Sequence, residues 1–448
     1  MVRRPSILVT RLPRPHAVDL VLFFGVGALL YALLALAPVE LKRASPSVTI
    51  DLRPTALPGY TWLSFLRMVS AYVLSLLFTV VVGYAAARNR TAERVLVPLL
   101  DILQSIPVLS FLPAVLLAMI AIFPRETLGL ELGSILLIFT GMVWNMAFSF
   151  YHSVLTIPGD LIDASRVMRL NWWRRLTTLE LPPTVIGLVW NSMISWAGGW
   201  FFLMASESFT LVNRSLTLPG LGSYLAVASS QGDIRAVMWG LATLVLVIVA
   251  LDQIVWRPLI VWSQRFKIEL AEDPQPPRSW FLDTIRRSSV LPVIRHAIAG
   301  PAAEAIANLS DRVRMRALPR IPFGPRLLAT ALALPALVLI GSIFIGSAAL
   351  IRMMVRVSAQ EWGQIAVGAV ATSVHVAIAL LIALGWTVPA GVFIGLHPRA
   401  ARVVQPLAQI AASIPATALF PILLLVLVRV GGGLTVASIL LMLLGTQW

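Results

Sequence analysis

Few side chains in this 448-residue sequence are of a kind that does covalent chemistry. It has no cysteine, which removes thiolate nucleophiles, thiolate metal ligands and a disulfide framework. No His/Asp/Glu group has metal-ligand spacing, and no nucleophile stands in an evident relation to a base. Lys42 and Lys267 are the only lysines and neither follows a glycine, so the chain lacks a Gly-x-x-x-x-Gly-Lys-Ser/Thr phosphate loop. These residues support neither a catalytic nor a metal site. What remains are isolated polar groups in apolar surroundings. Glu207, in Met204-Ala205-Ser206-Glu207-Ser208, is costly to place in a membrane and is either functional or hydrogen-bonded between helices. Gln104 and Asn145 either line a solute pathway or tie helices together. His375 reads as a neutral histidine with a helix partner, or as a proton-coupling group.

The elements around these groups must be membrane helices. Hydrophobic residues make up 58% of the chain and charged ones 12%, and mean hydropathy is +0.87. A surface so poor in charge needs lipid as its solvent. Apolar runs long enough to cross a bilayer fall near 19–38, 64–87, 95–123, 130–152, 183–209, 236–256, 327–351, 366–396, 401–428 and 432–448. The expected fold is an all-α integral membrane protein of about ten transmembrane helices. Pro107, Pro113, Pro415 and Pro421 are expected to kink or break theirs. The run at 19–38, after Arg3, Arg4, Arg11 and Arg14, reads as an uncleaved anchor rather than a signal peptide.

Net charge is +15, but the basic residues lie between apolar runs, which points to the anionic face of a bilayer and not to nucleic acid. A cytoplasmic N-terminus places 25 of the 35 Lys and Arg residues on the cytoplasmic side, which favours that orientation. The Pro- and Arg-rich stretch 257–326 reads as a cytoplasmic linker, with a surface helix near 299–316.

The linker separates two similar halves. A shift of 308 residues lays Gly83 on Gly391, Arg94 on Arg402, Pro98 on Pro406, Ser105-Ile106-Pro107 on Ser413-Ile414-Pro415 and Pro113 on Pro421. Copies separated by an even number of spans share one orientation, so these are parallel repeats. The second copy ends at Trp448, short of any counterpart to 145–256, and the expectation is a C-terminally truncated sequence. The domain plan is therefore an N-terminal tail, span and outer loop (1–58), a first domain (59–256), the linker (257–326) and an incomplete second domain (327–448).

One loop stands apart. Residues 157–182 open with Ile157-Pro158-Gly159-Asp160-Leu161-Ile162-Asp163-Ala164-Ser165-Arg166-Val167-Met168-Arg169 and close on Leu179-Glu180-Leu181-Pro182. Pro158 suits a helix start, and Asp160 and Asp163 suit its positive end. Leu161, Ala164, Val167 and Met168 share one face at helical spacing. Asn171 suits a turn or a second helix cap. An apolar face on such a surface helix can seat in another protein's groove.

In this loop the sequence resembles the permeases of ABC importers, whose cytoplasmic pattern is Glu-Ala-Ala, three residues, Gly, nine residues, Ile-x-Leu-Pro. Asp163-Ala164-Ser165 stands for the first triplet, Arg169 for the glycine, and Leu179-x-Leu181-Pro182 for the end, without a gap. Arg169 departs from the pattern. The resemblance is to the nitrate/sulfonate/taurine type in a two-half fused form. It implies a bacterial inner-membrane subunit that is not itself an enzyme. Separate cytoplasmic ATPase subunits would use ATP, and an extracytoplasmic binding protein would deliver solute. Leu218-Pro219-Gly220-Leu221-Gly222 resembles the family's Gly-Leu-Gly turn. The alternative is an ion-coupled secondary transporter, which also has repeats and broken helices.

Overall fold

The computed structural model describes residues 49–123, 128–170, 172–211 and 214–266, and of the second half mainly 354–416 and 433–446. The expected spans at 19–38 and 327–351, the surface helix near 299–316, Pro421 and Trp448 lie outside these residues, isolated positions aside.

The first half is a bundle of long helices. They are α1 (Leu57–Arg88), α2 (Arg90–Ser105), α3 (Val108–Ile122), α4 (Leu128–Leu155), the short α5 (Gly159–Val167) and α6 (Leu181–Glu207). A two-stranded antiparallel hairpin follows, β1 (Ser208–Leu211) and β2 (Arg214–Thr217), with Ser208 opposite Thr217. Then come α7 (Leu221–Ser230) and α8 (Ile234–Leu251). The second half contributes α9 (Ala359–Leu396), α10 (Pro398–Ser413) and α11 (Gly433–Thr446). Among the described residues, four helical runs are long and apolar enough to cross a membrane: 54–88, 128–155, 234–266 and 359–396. The bent pair α2–α3 makes a fifth. At 27 residues α6 is also about 40 Å long; its serines, glycines and Asn191 make it less apolar, and it lies at the centre of the bundle. The molecule is a multi-span, helical membrane protein.

The run 95–123 is broken near Pro107, as the proline led one to expect. Asn89 caps α2 by accepting from the backbone N–H groups of Thr91 (2.9 Å) and Ala92 (3.3 Å). The amphipathic α2 then ends where Ile106 precedes Pro107. A residue before proline is driven out of the helical region, and Ile106 sits at φ −80°, ψ 121°. The two helices meet at 99°. Pro113, by contrast, lies inside α3 without ending it. Helical structure continues past 256, into the stretch read as a linker. α8 runs past 256 through a π-helical turn, Asp252–Trp256, and a last α segment, Arg257–Ser263.

The repeat is visible in the boundaries. α1 ends at Arg88 and α9 at Leu396, and α2 spans 90–105 where α10 spans 398–413, each 308 residues apart. Ile414, before Pro415, repeats the break with φ −77°, ψ 116°.

The core forms where α1, α4 and α6 pack, around Met68, Ala71, Ile138, Met142, Trp200 and Leu203, closed on one side by Tyr224 and Leu244. Hydrophobicity does not drive helices together in lipid, so close packing must. Gly83 lies under Phe150, and Gly199 against Met142 and Met68.

Candidate functional site

Both ends of this bundle carry built features: the loop 157–182 at one, the hairpin and α7 at the other.

At the loop end, Ile157, Phe150 and Val154 form a small apolar cluster, and Ile162, Leu179 and Leu181 pack onto it with Val80, Tyr84 and Ala87 of α1. α5 is thereby held by its inner face, where Ser165 is buried and donates to the Ile162 carbonyl at 2.6 Å. The opposite face is open. Leu161 is 46% exposed, Val167 83% and Met168 73%, with Ala164 exposed between them. Asp163 is on the surface, ion-paired with Arg166 at 2.9 Å. Pro182 sits in the first turn of α6, where its missing N–H costs nothing.

The turn after α5 accounts for the position at which the resemblance has glycine. The Leu170 N–H donates to the Ser165 carbonyl (3.0 Å) and the Arg169 N–H to the Arg166 carbonyl (3.0 Å). This pair of bonds is the Schellman helix ending, whose closing residue is left-handed. Arg169 is that residue, with φ 51°. The turn survives with an arginine where glycine would be unstrained.

Beyond the turn, helix Trp172–Arg175 enters a π turn, Leu176–Glu180, that leads into α6. Glu180 is wholly buried. Its Oε1 meets Arg88 Nη2 of α1 at 2.6 Å and Arg175 Nε at 2.7 Å. Tyr84, one turn earlier on α1, faces the same carboxylate. Arg175 and Glu180 are five residues apart, about 140° apart around a regular α-helix. The wider π turn brings them together. The Arg257–Asp252 pair (2.9 Å) at the other π turn has the same spacing.

At the hairpin end, α6 finishes at Glu207, which is fully buried. Arg67, also buried, reaches Glu207 Oε1 at 2.6 Å and the Pro219 carbonyl at 2.9 Å through Nη1. Its Nε and Nη2 meet the two oxygens of Glu131 on α4, each at 2.6 Å. Ser64 Oγ donates to Glu207 Oε1 (2.6 Å) and accepts the Leu221 N–H (2.9 Å). The Gly222 N–H donates to Glu207 Oε2 (2.7 Å). Gly220 lies directly against the Glu207 carboxylate, with no room for a Cβ. The Leu218–Gly222 turn is thus tied to α1 and α6 through one carboxylate.

The candidate pathway residues are not brought together. Glu207 is engaged as above. Gln104 is exposed on α2 and donates to Asp101 at 3.1 Å; Asn145 is exposed on α4. His375 on α9 lies 3.3 Å from Ser438 Oγ on α11. Arg67, Glu131, Arg88 and Arg175 were not singled out by sequence reasoning. A lone arginine in an apolar span demands a buried partner, and that signal joins Arg67 to Glu207. Nothing in the local sequence joins Arg88 to Glu180. Among the described residues no group of three or more His, Cys, Asp or Glu could hold a metal ion.

Residues 60–255 match the family of the binding-protein-dependent transport system inner membrane component. The chain is also similar to transport permeases. It is 26% identical over 209 residues to the glycine betaine transport system permease protein OpuAB of Bacillus subtilis, an alignment covering 44% of this chain and 65% of that protein. It is 22% identical over 213 residues to a probable ABC transporter permease of Brucella abortus (strain 2308), covering 47% and 79%. The chain thus spans slightly less than two thirds of the Bacillus protein. The matched segment runs from the start of α1 to the π turn of α8, and so contains both built ends. That segment is similar to the membrane-spanning components of binding-protein-dependent transport systems.

Proposed function

We propose that this chain is the membrane-spanning permease subunit of an ATP-binding-cassette importer, coupled through the loop 157–182 to a separate cytoplasmic ATPase. The observation that carries the reading is α5: a short helix packed rigidly by one face while Leu161, Ala164, Val167 and Met168 present an apolar face to solvent. Exposed apolar residues grouped on one rigid element mark a docking surface, and a helix laid in a groove is a common mode of recognition. Asp163, Ala164, Ser165, Arg169, Leu179, Leu181 and Pro182 form this coupling element. The first five shape or border the docking turn; Leu181 and Pro182 join it to α6.

In this reading the loop end and the N-terminus face the cytoplasm of a bacterial inner membrane. The hairpin end faces an extracytoplasmic solute-binding protein, and ATP is used by the partner subunit. The 308-residue repeat supports a two-half fused form, and the resemblance in the loop points to the nitrate/sulfonate/taurine type. Identities of 22–26% concern the permease scaffold and leave the choice of solute to the binding protein. The solute pathway would run between the halves, with Gln104 and Asn145 among its candidate lining residues.

The test is co-purification. Ala164→Glu should abolish capture of the ATPase encoded beside this gene while membrane insertion stays intact. Undiminished capture would remove the docking role from α5. The chain reconstituted alone should take up no solute; gradient-driven uptake by it alone would replace this reading with a secondary transporter.

A further inference from the structure

The docking loop is covalently continuous with α4 and α6, but not with α1. Motion imposed on α5 therefore reaches α4 and α6 through the chain, whereas α1 must be moved through space. Two contacts can do this. One is the apolar cluster of Phe150, Val154 and Ile157, on which Ile162, Leu179 and Leu181 pack from the loop and Val80, Tyr84 and Ala87 from α1. The other is Glu180.

Glu180 occupies the last position before α6, has no exposed surface, and is held within 2.7 Å of cations from both sides: Arg88 from the end of α1 and Arg175 from the loop. Arg88 and Arg175 are partly exposed, at 22% and 21% of their side chains, whereas Glu180 has no exposure. An apolar cluster lies beside the triad. Burying a carboxylate there costs desolvation that its pairing roughly offsets, and apolar residues of similar size would hold the fold as well or better. A charged joint offers direction instead. A bridging carboxylate fixes the relative position of two guanidinium groups, whereas an apolar contact slides. The π turn that aligns Arg175 with Glu180 is itself a departure from regular helix, of a kind frequent at functional sites.

We propose that Glu180 is a positioning residue, a charged linchpin that makes α1 follow the docking loop when the ATPase partner closes. Arg88 receives the displacement on α1, and Arg175 holds the carboxylate in register with the loop. The inference rests on the ATPase-coupled reading above and adds a route by which work enters the bundle.

The native chain has no cysteine, so two spin labels can be placed without background. Val81→Cys on α1 and Ile194→Cys on α6 use side chains that are 66% and 52% exposed. The labelled chain is purified with its ATPase subunit in lipid nanodiscs, and the label separation is measured by double electron–electron resonance, without nucleotide and after trapping with MgATP and vanadate. With Glu180 present the separation should change on trapping. In Glu180→Leu and in Arg88→Leu the change should be lost, while the ATPase still co-purifies and still hydrolyses ATP. Glu180→Gln, which keeps the shape and the packing, should lose most of it and serves if the leucine variants fail to fold. A nucleotide-driven change of undiminished size in Glu180→Gln or Glu180→Leu overturns the linchpin. So does the absence of any change in the parent protein. Failure of the parent to bind the ATPase overturns the coupled reading, and the linchpin with it. Loss of ATPase binding in Glu180→Gln would show a role in shaping the docking surface, which also overturns it.

Discussion

Replacing Arg67 with methionine should destabilise the first half of the molecule more than any nearby apolar substitution. The guanidinium makes four hydrogen bonds: two to Glu131, one to Glu207 and one to the Pro219 carbonyl. Methionine fills much of the volume and satisfies none of them. Glu131 is 31% exposed and can turn to solvent, so little is lost there. Glu207 is fully buried and cannot. Removing one partner of a buried pair costs about 3–5 kcal/mol. Glu207 keeps Ser64 Oγ and the Gly222 N–H, which places the expectation near the low end, about 3 kcal/mol. In a unit of roughly 200 residues each kcal/mol lowers Tm by about 2–4 °C, so the drop should be about 6–12 °C. Thermal unfolding in detergent, followed by circular dichroism, measures it. The decisive variant is Arg67→Met with Glu207→Gln. The neutral amide can still engage Ser64 and the turn without an unpaired charge, so the double variant should be more stable than Arg67→Met alone. A Tm loss under about 2 °C for the single variant would refute the reasoning, as would additive losses in the pair, because coupled sites in contact are not additive.

Three further outcomes follow from single positions. Gly129→Ala places a Cβ 2.7 Å from Ile120 Cα and 2.8 Å from the Met119 carbonyl oxygen; backbone cannot yield as a side chain does, so a loss of about 1–3 kcal/mol should appear in the same thermal assay. Gly198→Ala, in α6 with nothing within 4 Å, should instead stabilise by about 0.5–1 kcal/mol. Arg169→Gly should be neutral or stabilising, since a left-handed non-glycine residue costs about 1–2 kcal/mol, whereas Arg169→Val should make the loop more sensitive to limited proteolysis.

Much of the architecture follows from local rules. The apolar composition required lipid, and the 308-residue repeat was legible because α2 and α10 share a terminator, an isoleucine before proline, whose steric effect does not depend on context. The exposed face of α5 was likewise legible from helical spacing alone. The sharpness of the break within 95–123 also has a local reason. Arg94, Asp101 and Gln104 make the first part amphipathic, and a long apolar window conceals that.

Other features needed the tertiary structure. Glu207 was conspicuous in the sequence, but its role depends on Ser64, Arg67 and Gly222, which lie 143, 140 and 15 residues away. Arg169 departs from the glycine of the resembled pattern, yet the backbone hydrogen bonds keep the turn and make the residue bear the strain. Glu180 carried no signal of its own, because a carboxylate at the foot of a membrane helix is as common on the surface as inside. Sequence sets what each segment can do with its neighbours along the chain, since caps, prolines and periodicity act within a turn or two. Which distant charge a buried carboxylate meets is decided only when α1, α4 and α6 pack, because burial raises the cost of an unpaired charge from small to prohibitive.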